Sequence, residues 1–300
     1  MPGLRRRRNS EDPSAVLLGR HLLLVPTVVG VEQVDSLVRC WYPGSDLVGT
    51  GTADLGGRAG LHGPHELTME AAVVAEVPTP WSVAYDVEVD ASPRARTPPA
   101  RRPDGLHRCF PEGLPSGAEL TGLELLLALA RRLGGAVRPV GAQEALIPEV
   151  ATAVETRVIS PTWVRAGDVA AVCAQEGDGV EVAVQGDTGS DALARPDGTP
   201  FLVHLPLGPA GAVVVEGAVA LRPEPAVAGE AFGAGPMAVY DVRWQAPEDQ
   251  WHLDEHLEGV AMACRERARA PIATITRTLA ELGGGVVVDA DGFLVDRYQV

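Results

Sequence analysis

An internal repeat is the feature that most restricts how this chain can fold. The segment 84–87, Ala-Tyr-Asp-Val, returns at 239–242 as Val-Tyr-Asp-Val. Each copy lies in a run of alternating apolar and polar residues, which is typical of a β-strand. A helical stretch that ends in glycines follows each copy, at 129–137 and at 279–286, and glycine commonly ends helices. The repeat predicts two related units in tandem.

A third match precedes these two. Pro26-Thr27 corresponds to Pro161-Thr162, and in both places a short apolar strand comes before it (21–25 and 157–159) and an amphipathic stretch after it. We therefore expect an α+β fold, a tandem duplication of a unit that resembles the ferredoxin-like split βαβ with insertions, forming a pseudo-dimer in one chain. The alternative is two unrelated α+β segments that share common strand and helix-end patterns.

The repeat also predicts the domain organisation. We expect residues 1–15 to be a disordered basic tail, residues 16–150 the first α+β repeat, and residues 151–300 the second. Residues 91–117 are rich in proline and arginine and are expected to form a long flexible loop in the first repeat. Further strands are expected in the second repeat at 180–184, 201–205, 212–215 and in a closing hairpin at 286–295.

Composition excludes several function classes. The 25 basic residues are all arginine, which excludes a Schiff-base lysine, a pyridoxal phosphate anchor and a P-loop lysine. The net charge is −15, and residues 151–300 carry 22 acids against 10 arginines. Such an acidic chain repels phosphate backbones, so we expect no nucleic-acid partner. The charge favours a basic protein partner, or it simply aids solubility.

The composition also bears on location. No apolar run reaches the roughly 18 residues of a membrane span, so no membrane association is expected. The four cysteines, Cys40, Cys109, Cys173 and Cys264, form no C-x-x-C pair. We expect reduced thiols in a cytoplasmic protein, and the arginine-for-lysine usage indicates a bacterium with GC-rich DNA.

One short motif has the spacing of a metal site. His252, Glu255 and His256 form H-x-x-E-H, and residues four apart share a helix face, so the two histidines could bind one zinc ion. The motif resembles that of the inverzincin metallopeptidases. The resemblance implies His252 and His256 as ligands and Glu255 as the base that deprotonates metal-bound water. The alternative is a charged first turn of a helix. Two other histidines, His62 and His65, are expected at the surface of a loop.

The repeated Tyr-Asp pair allows a second kind of site. Neighbouring residues of a strand point to opposite faces of the sheet, so tyrosine and aspartate should lie on different faces. The structural interpretation is a tyrosine packed at a sheet edge and an aspartate that caps a loop. The functional interpretation is a ligand cleft between the repeats, lined by Tyr85, Asp86, Tyr240, Asp241, Trp81 and Trp244.

Three functions follow from these patterns. The leading hypothesis is a non-enzymatic binding or regulatory protein, of the immunity type, that acts through the acidic second repeat. The first alternative is a zinc-dependent hydrolase that uses the H-x-x-E-H motif. The second alternative is a small-molecule binder in the cleft between the repeats. No cofactor is expected for the leading hypothesis, and zinc is expected only for the hydrolase.

Overall fold

The protein divides into two compact units. Unit 1 contains residues up to 35 and residues 45–148, and unit 2 contains residues 36–44 and those from 149 onward. The computed structural model describes residues 17, 19–57, 59–67, 81–95, 99–100, 102–142, 144–149, 154–184, 198–220, 224–230, 232, 235–248, 251 and 257–295.

Unit 1 is built on a five-stranded sheet. Its elements are β1 (His21–Val25), α1 (Val31–Trp41), α2 (Leu47–Thr50), β2 (Thr52–Gly56), β3 (Ala59–Glu66), β4 (Val83–Glu88), α3 (Leu106–Cys109), α4 (Gly117–Leu133) and β5 (Ala136–Arg138). The strand order is β2-β3-β4-β1-β5, and every described pairing is antiparallel. The second half of α1 belongs to unit 2.

Unit 2 is built on a seven-stranded sheet. Its elements are β6 (Thr156–Ser160), α5 (Ala166–Cys173), β7 (Glu181–Val184), β8 (Phe201–Pro206), β9 (Ala212–Ala220), β10 (Met237–Gln245), α6 (Gly259–Gly283), β11 (Val286–Asp289) and β12 (Leu294–Val295). The strand order is β12-β11-β6-β10-β9-β8-β7, again with every described pairing antiparallel.

The predicted fold class is confirmed: the chain is α+β with two antiparallel sheets. The predicted helix ends are also confirmed. Gly134 caps the C-terminus of α4 and Gly284 caps that of α6, with φ values of 64° and 63°. Both glycines adopt the left-handed conformation, which other residues take only at a steric cost.

In each unit the long helix covers one face of the sheet. Helix α6 packs through Ile272, Ile275 and Leu279 against the cluster that contains Tyr240. Helix α4 approaches the equivalent face of unit 1 so closely that a Cβ on Gly122 would lie 3.2 Å from a methyl group of Val87. Alternation along the strands therefore turns the aspartate of each Tyr-Asp pair to the opposite face.

The proline- and arginine-rich segment 91–117 is more ordered than the expected loop in the parts that are described. It contains α3, and the buried carboxylate of Glu119 anchors it. Glu119 accepts hydrogen bonds from the Ser92 backbone at 2.6 Å and from Arg94 at 2.7 Å. Burial alone would raise the pKa of Glu119, but these donors outweigh burial and lower it. A buried ion pair of this kind fixes the start of the segment against α4.

The two repeated tyrosines are both fully buried, but their hydroxyl groups differ. The Tyr240 hydroxyl accepts a hydrogen bond from the backbone N–H of Val164. Among the described residues the Tyr85 hydroxyl has no hydrogen-bond partner. Burial, helped by the charge of Glu32, raises the pKa of Tyr85 to about 12. The same side chain is therefore satisfied in unit 2 and unsatisfied in unit 1.

This difference predicts opposite effects of the same substitution. Tyr240→Phe should lower the free energy of unfolding by about 1–2 kcal/mol, because it leaves a buried backbone N–H without its acceptor. Tyr85→Phe should be neutral or stabilising, because it removes a buried hydroxyl for which the described residues provide no partner. Urea unfolding of both variants measures this. An equal loss in the two variants would contradict the difference between the hydroxyl groups.

Candidate functional site

The candidate site centres on the aspartate of each Tyr-Asp pair. Asp86 on β4 lies opposite Leu22 of β1 and His62 of β3. Asp241 on β10 lies opposite Arg157 of β6 and Glu216 of β9. The two carboxylates thus occupy the same position in their sheets, on the face away from the long helix. A carboxylate on this face has to find hydrogen-bond donors from neighbouring strands.

In unit 1 the carboxylate is closed off. The Asp86 side chain is only 2% exposed. Its Oδ2 accepts a hydrogen bond from Nη1 of Arg20 at 2.5 Å, and its Oδ1 contacts Nε2 of His65 at 2.6 Å. Burial would raise the pKa of Asp86, but the bonds from His65 and Arg20 outweigh burial and lower it. Asp86 is therefore an ionised carboxylate with a donor on each oxygen.

A β-bulge brings His65 to this carboxylate. His62 and His65 were expected in a loop, but this expectation is wrong because both lie in β3. The register with β4 shifts between them, so His62 opposes Asp86 and His65 opposes Ala84. Residues three apart would ordinarily point to opposite faces of a strand, and the extra residue of the bulge turns both to one face.

In unit 2 the equivalent carboxylate stays open. The Asp241 side chain is 37% exposed, and its Oδ1 accepts a hydrogen bond from Nε of Arg157 at 2.6 Å. No described residue donates a hydrogen bond to Oδ2 of Asp241. Burial lowers the pKa of Arg157, but Asp241 and Glu224 outweigh burial and raise it. One carboxylate oxygen of Asp241 is therefore bonded within the protein, and the other has no donor among the described residues.

The strand registers show why the two sites differ. Glu155 precedes β6 at the position where Arg20 precedes β1, so an acid replaces the arginine that contacts Asp86. The strand partner of Asp241 is Glu216, and Ala218 is two residues beyond it. Ala218 takes the position that His65 has in unit 1, but its side chain has no hydrogen-bond donor. Two donors of unit 1 are therefore absent from the same positions of unit 2.

Asp241 opens into a cavity of about 560 Å³ in unit 2. Its charged lining consists of five acids and two arginines among the described residues: Glu155, Glu224, Asp241, Asp289, Asp291, Arg157 and Arg243. Both arginines already have acidic partners. Arg157 pairs with Asp241, and Nη2 of Arg243 lies 3.4 Å from Glu216. The cavity lining is therefore acidic in net charge.

An aromatic side chain with a fixed orientation completes the cavity wall. The indole N–H of Trp41 donates a hydrogen bond to the backbone oxygen of Asp291 at 2.8 Å. Gly292 packs against the ring edge: a Cβ there would lie 2.9 Å from Nε1 of Trp41. Its φ of 82° also favours glycine. Tyr42 lies beside Trp41 in the lining, and burial raises its pKa.

The other predicted cleft residues lie in the cores of their units. Tyr85, Tyr240 and Trp244 are buried, and the Trp244 indole donates to the backbone oxygen of Ala210 at 2.8 Å. Trp81 is also buried, and its indole donates to the backbone oxygen of Gly134 at 3.2 Å. The tyrosines and aspartates lie on opposite faces, as alternation predicted. Of the six predicted cleft residues, Asp241 lines the cavity.

The zinc hypothesis stays a prediction. His252, Glu255 and His256 lie outside the described residues. Within the described ranges, no group of three or more histidine, cysteine, aspartate and glutamate residues could hold a metal ion. In the same part of the chain, no helix has the length and apolar character needed to cross a membrane.

Comparisons with protein-family models, with curated proteins and with solved structures found no match to this chain. What the site binds therefore has to follow from the chemistry of its own residues. Sequence reasoning named His65 but did not predict its contact with Asp86, and it did not predict the cavity. The one available signal was Gly63-Pro64 between the two histidines, since glycine and proline within a strand mark bulges.

The contact between Asp86 and His65 predicts that removing His65 destabilises the protein more than removing His62 does. His65→Ala should lower the free energy of unfolding by about 1–3 kcal/mol, because it leaves a buried carboxylate oxygen unpaired. Imidazole at millimolar concentration should restore part of the melting temperature. His62→Ala is the control: its Nε2 lies 3.3 Å from the exposed Glu88, and its loss should cost less than about 0.5 kcal/mol. Equal losses in the two variants would contradict the assignment.

The lowered pKa of Asp86 predicts a pH dependence with a definite sign. The unfolded chain binds the proton more tightly, so ionised Asp86 stabilises the fold above about pH 4. This contribution is lost as the pH falls through the folded-state pKa. Wild type should therefore exceed Asp86→Asn in unfolding free energy at pH 7, and the difference should shrink as the pH falls below about 4. A difference that does not change from pH 2 to pH 7 would contradict it.

Proposed function

We propose that this protein is a non-enzymatic binding and regulatory protein that holds a positively charged group of a partner in the cavity of unit 2. The observation that carries the proposal is the acidic lining of this cavity, whose two arginines are already paired. A cationic group entering the cavity would lie among five carboxylates, one of which, Asp241, has an oxygen with no described donor. An immunity-type protein that neutralises a basic partner is one form of this function.

Size and charge both support the proposal. A volume of about 560 Å³ falls in the range of ligand pockets, roughly 300–1,000 Å³, so it suits a side chain or a small molecule. Residues 151–300, which include most of the cavity lining, carry 22 acids and 10 arginines and are therefore net negative. Such a net charge attracts basic partners over a distance and disfavours nucleic acid.

We also propose that the two units are tandem copies of a ferredoxin-like unit. The order β5-β1-β4-β3 in unit 1 and the order β11-β6-β10-β9 in unit 2 both match the split βαβ arrangement. The strands β2, β7, β8 and β12 are then additions to the sheet edges. The four cysteines form no disulfide with one another, which supports a place in the reducing cytoplasm.

Binding of a basic peptide tests the proposed function. A short peptide of alternating arginine and lysine should bind in 20 mM salt and weaken at least tenfold in 200 mM salt, because screening acts within about 8–10 Å. Removing two cavity charges with Glu155→Gln and Glu224→Gln should weaken binding about tenfold. Isothermal titration calorimetry measures both effects.

The matched control removes two acids that lie away from the cavity. Glu181→Gln and Glu281→Gln change two exposed residues of unit 2 that do not line it. This variant has the same net charge as the cavity variant, and its affinity should stay within about twofold of wild type. Equal weakening in the two variants, or no binding in low salt, would contradict the proposed function.

A further inference from the structure

In unit 1 the carboxylate at this sheet position has a hydrogen-bond donor on each of its oxygens. Its carboxylate, Asp86, accepts from two nitrogen groups, the guanidinium of Arg20 and the imidazole of His65, one on each oxygen. Both donors are planar groups that bear or can take a positive charge. This internal example shows which chemistry satisfies a carboxylate at this position of the sheet.

In unit 2 the second donor is absent from the described residues. Arg157 occupies Oδ1 of Asp241, no described residue donates to Oδ2, and the side chain opens into the cavity. Ala218, at the place of His65, cannot fill this position. An N–H donor of a ligand can bond to Oδ2 of Asp241, and the acidic lining favours a donor that carries a positive charge.

The aromatic side chain in the cavity lining favours planar cations. Trp41 lines the same cavity, and its ring is held by the hydrogen bond to Asp291 and by contact with Gly292. A planar cation can stack on an indole face while its edge donates to a carboxylate, and a guanidinium does both more readily than an ammonium group. Its fork of N–H donors can also reach a second acid of the lining.

We infer that the cavity of unit 2 binds a guanidinium group, which donates to Oδ2 of Asp241 and lies against Trp41. This inference rests on the proposed function and names the group that the cavity recognises. The guanidinium belongs either to an arginine side chain of a protein partner or to a free guanidino compound. In both cases the recognised chemistry is the same.

The test uses three small probes of matched shape on the full chain. N-acetyl-arginine amide should bind, N-acetyl-lysine amide should bind at least tenfold more weakly, and the uncharged isostere N-acetyl-citrulline amide should not bind at the same concentrations. Binding is followed by the indole N–H signal of Trp41 in a nitrogen–proton correlation spectrum. The chain has five tryptophans, and Trp41→Leu assigns the signal.

Two variants locate the contact. Asp241→Asn keeps the size of the side chain and removes its charge, and it should weaken N-acetyl-arginine amide at least tenfold. Glu181→Gln is the control: it removes one negative charge from an exposed residue of unit 2 that does not line the cavity, and it should leave the affinity unchanged.

The outcomes separate this inference from the proposed function. Equal affinity for the arginine and lysine probes, or no effect of Asp241→Asn, would overturn the guanidinium assignment. If the basic peptide still binds in low salt in that case, the proposed function stands. A one-arginine peptide distinguishes the sources: tighter binding than N-acetyl-arginine amide supports a protein partner, and equal binding supports a free guanidino compound.

Discussion

The hydrogen bonding of one strand carboxylate differs between the two units. A charged group on a β-sheet face loses hydration, and each of its oxygens needs a donor to offset that loss. Asp86 obtains both donors and is 2% exposed, whereas Asp241 obtains one from the described residues and remains 37% exposed. The first arrangement closes the sheet face of unit 1, and the second leaves a polar cavity in unit 2.

The substitutions that separate the two sites are few. An arginine before the first strand of unit 1, Arg20, is a glutamate at the equivalent position, Glu155. The imidazole of His65 is replaced by the methyl group of Ala218. Both changes remove donors or add negative charge near Asp241. Carboxylates at the same sheet position thus have a donor on each oxygen in unit 1 and one oxygen without a described donor in unit 2.

Much of this arrangement could be predicted from the sequence, because it depends on local periodicity. Alternation along the strands placed Tyr240 and Asp241 on opposite faces, and glycine chemistry gave the helix ends at Gly134 and Gly284. The donors of the carboxylates could not be predicted, because they depend on pairing between distant strands. A period of two assigns His62 and His65 to opposite faces of the sheet. The bulge in β3 puts both on the same face. The cavity also needs Trp41, which is far from Asp241 in sequence.

The central claim is that a ligand guanidinium donates to Oδ2 of Asp241, for which the described residues provide no donor. A crystal structure of the protein with N-acetyl-arginine amide tests it most directly. The account predicts a guanidinium nitrogen at about 2.7–3.1 Å from Oδ2 of Asp241, with the group stacked on Trp41 and Arg157 still bonded to Oδ1. A guanidinium bound elsewhere, or a protein donor already on Oδ2, would contradict it.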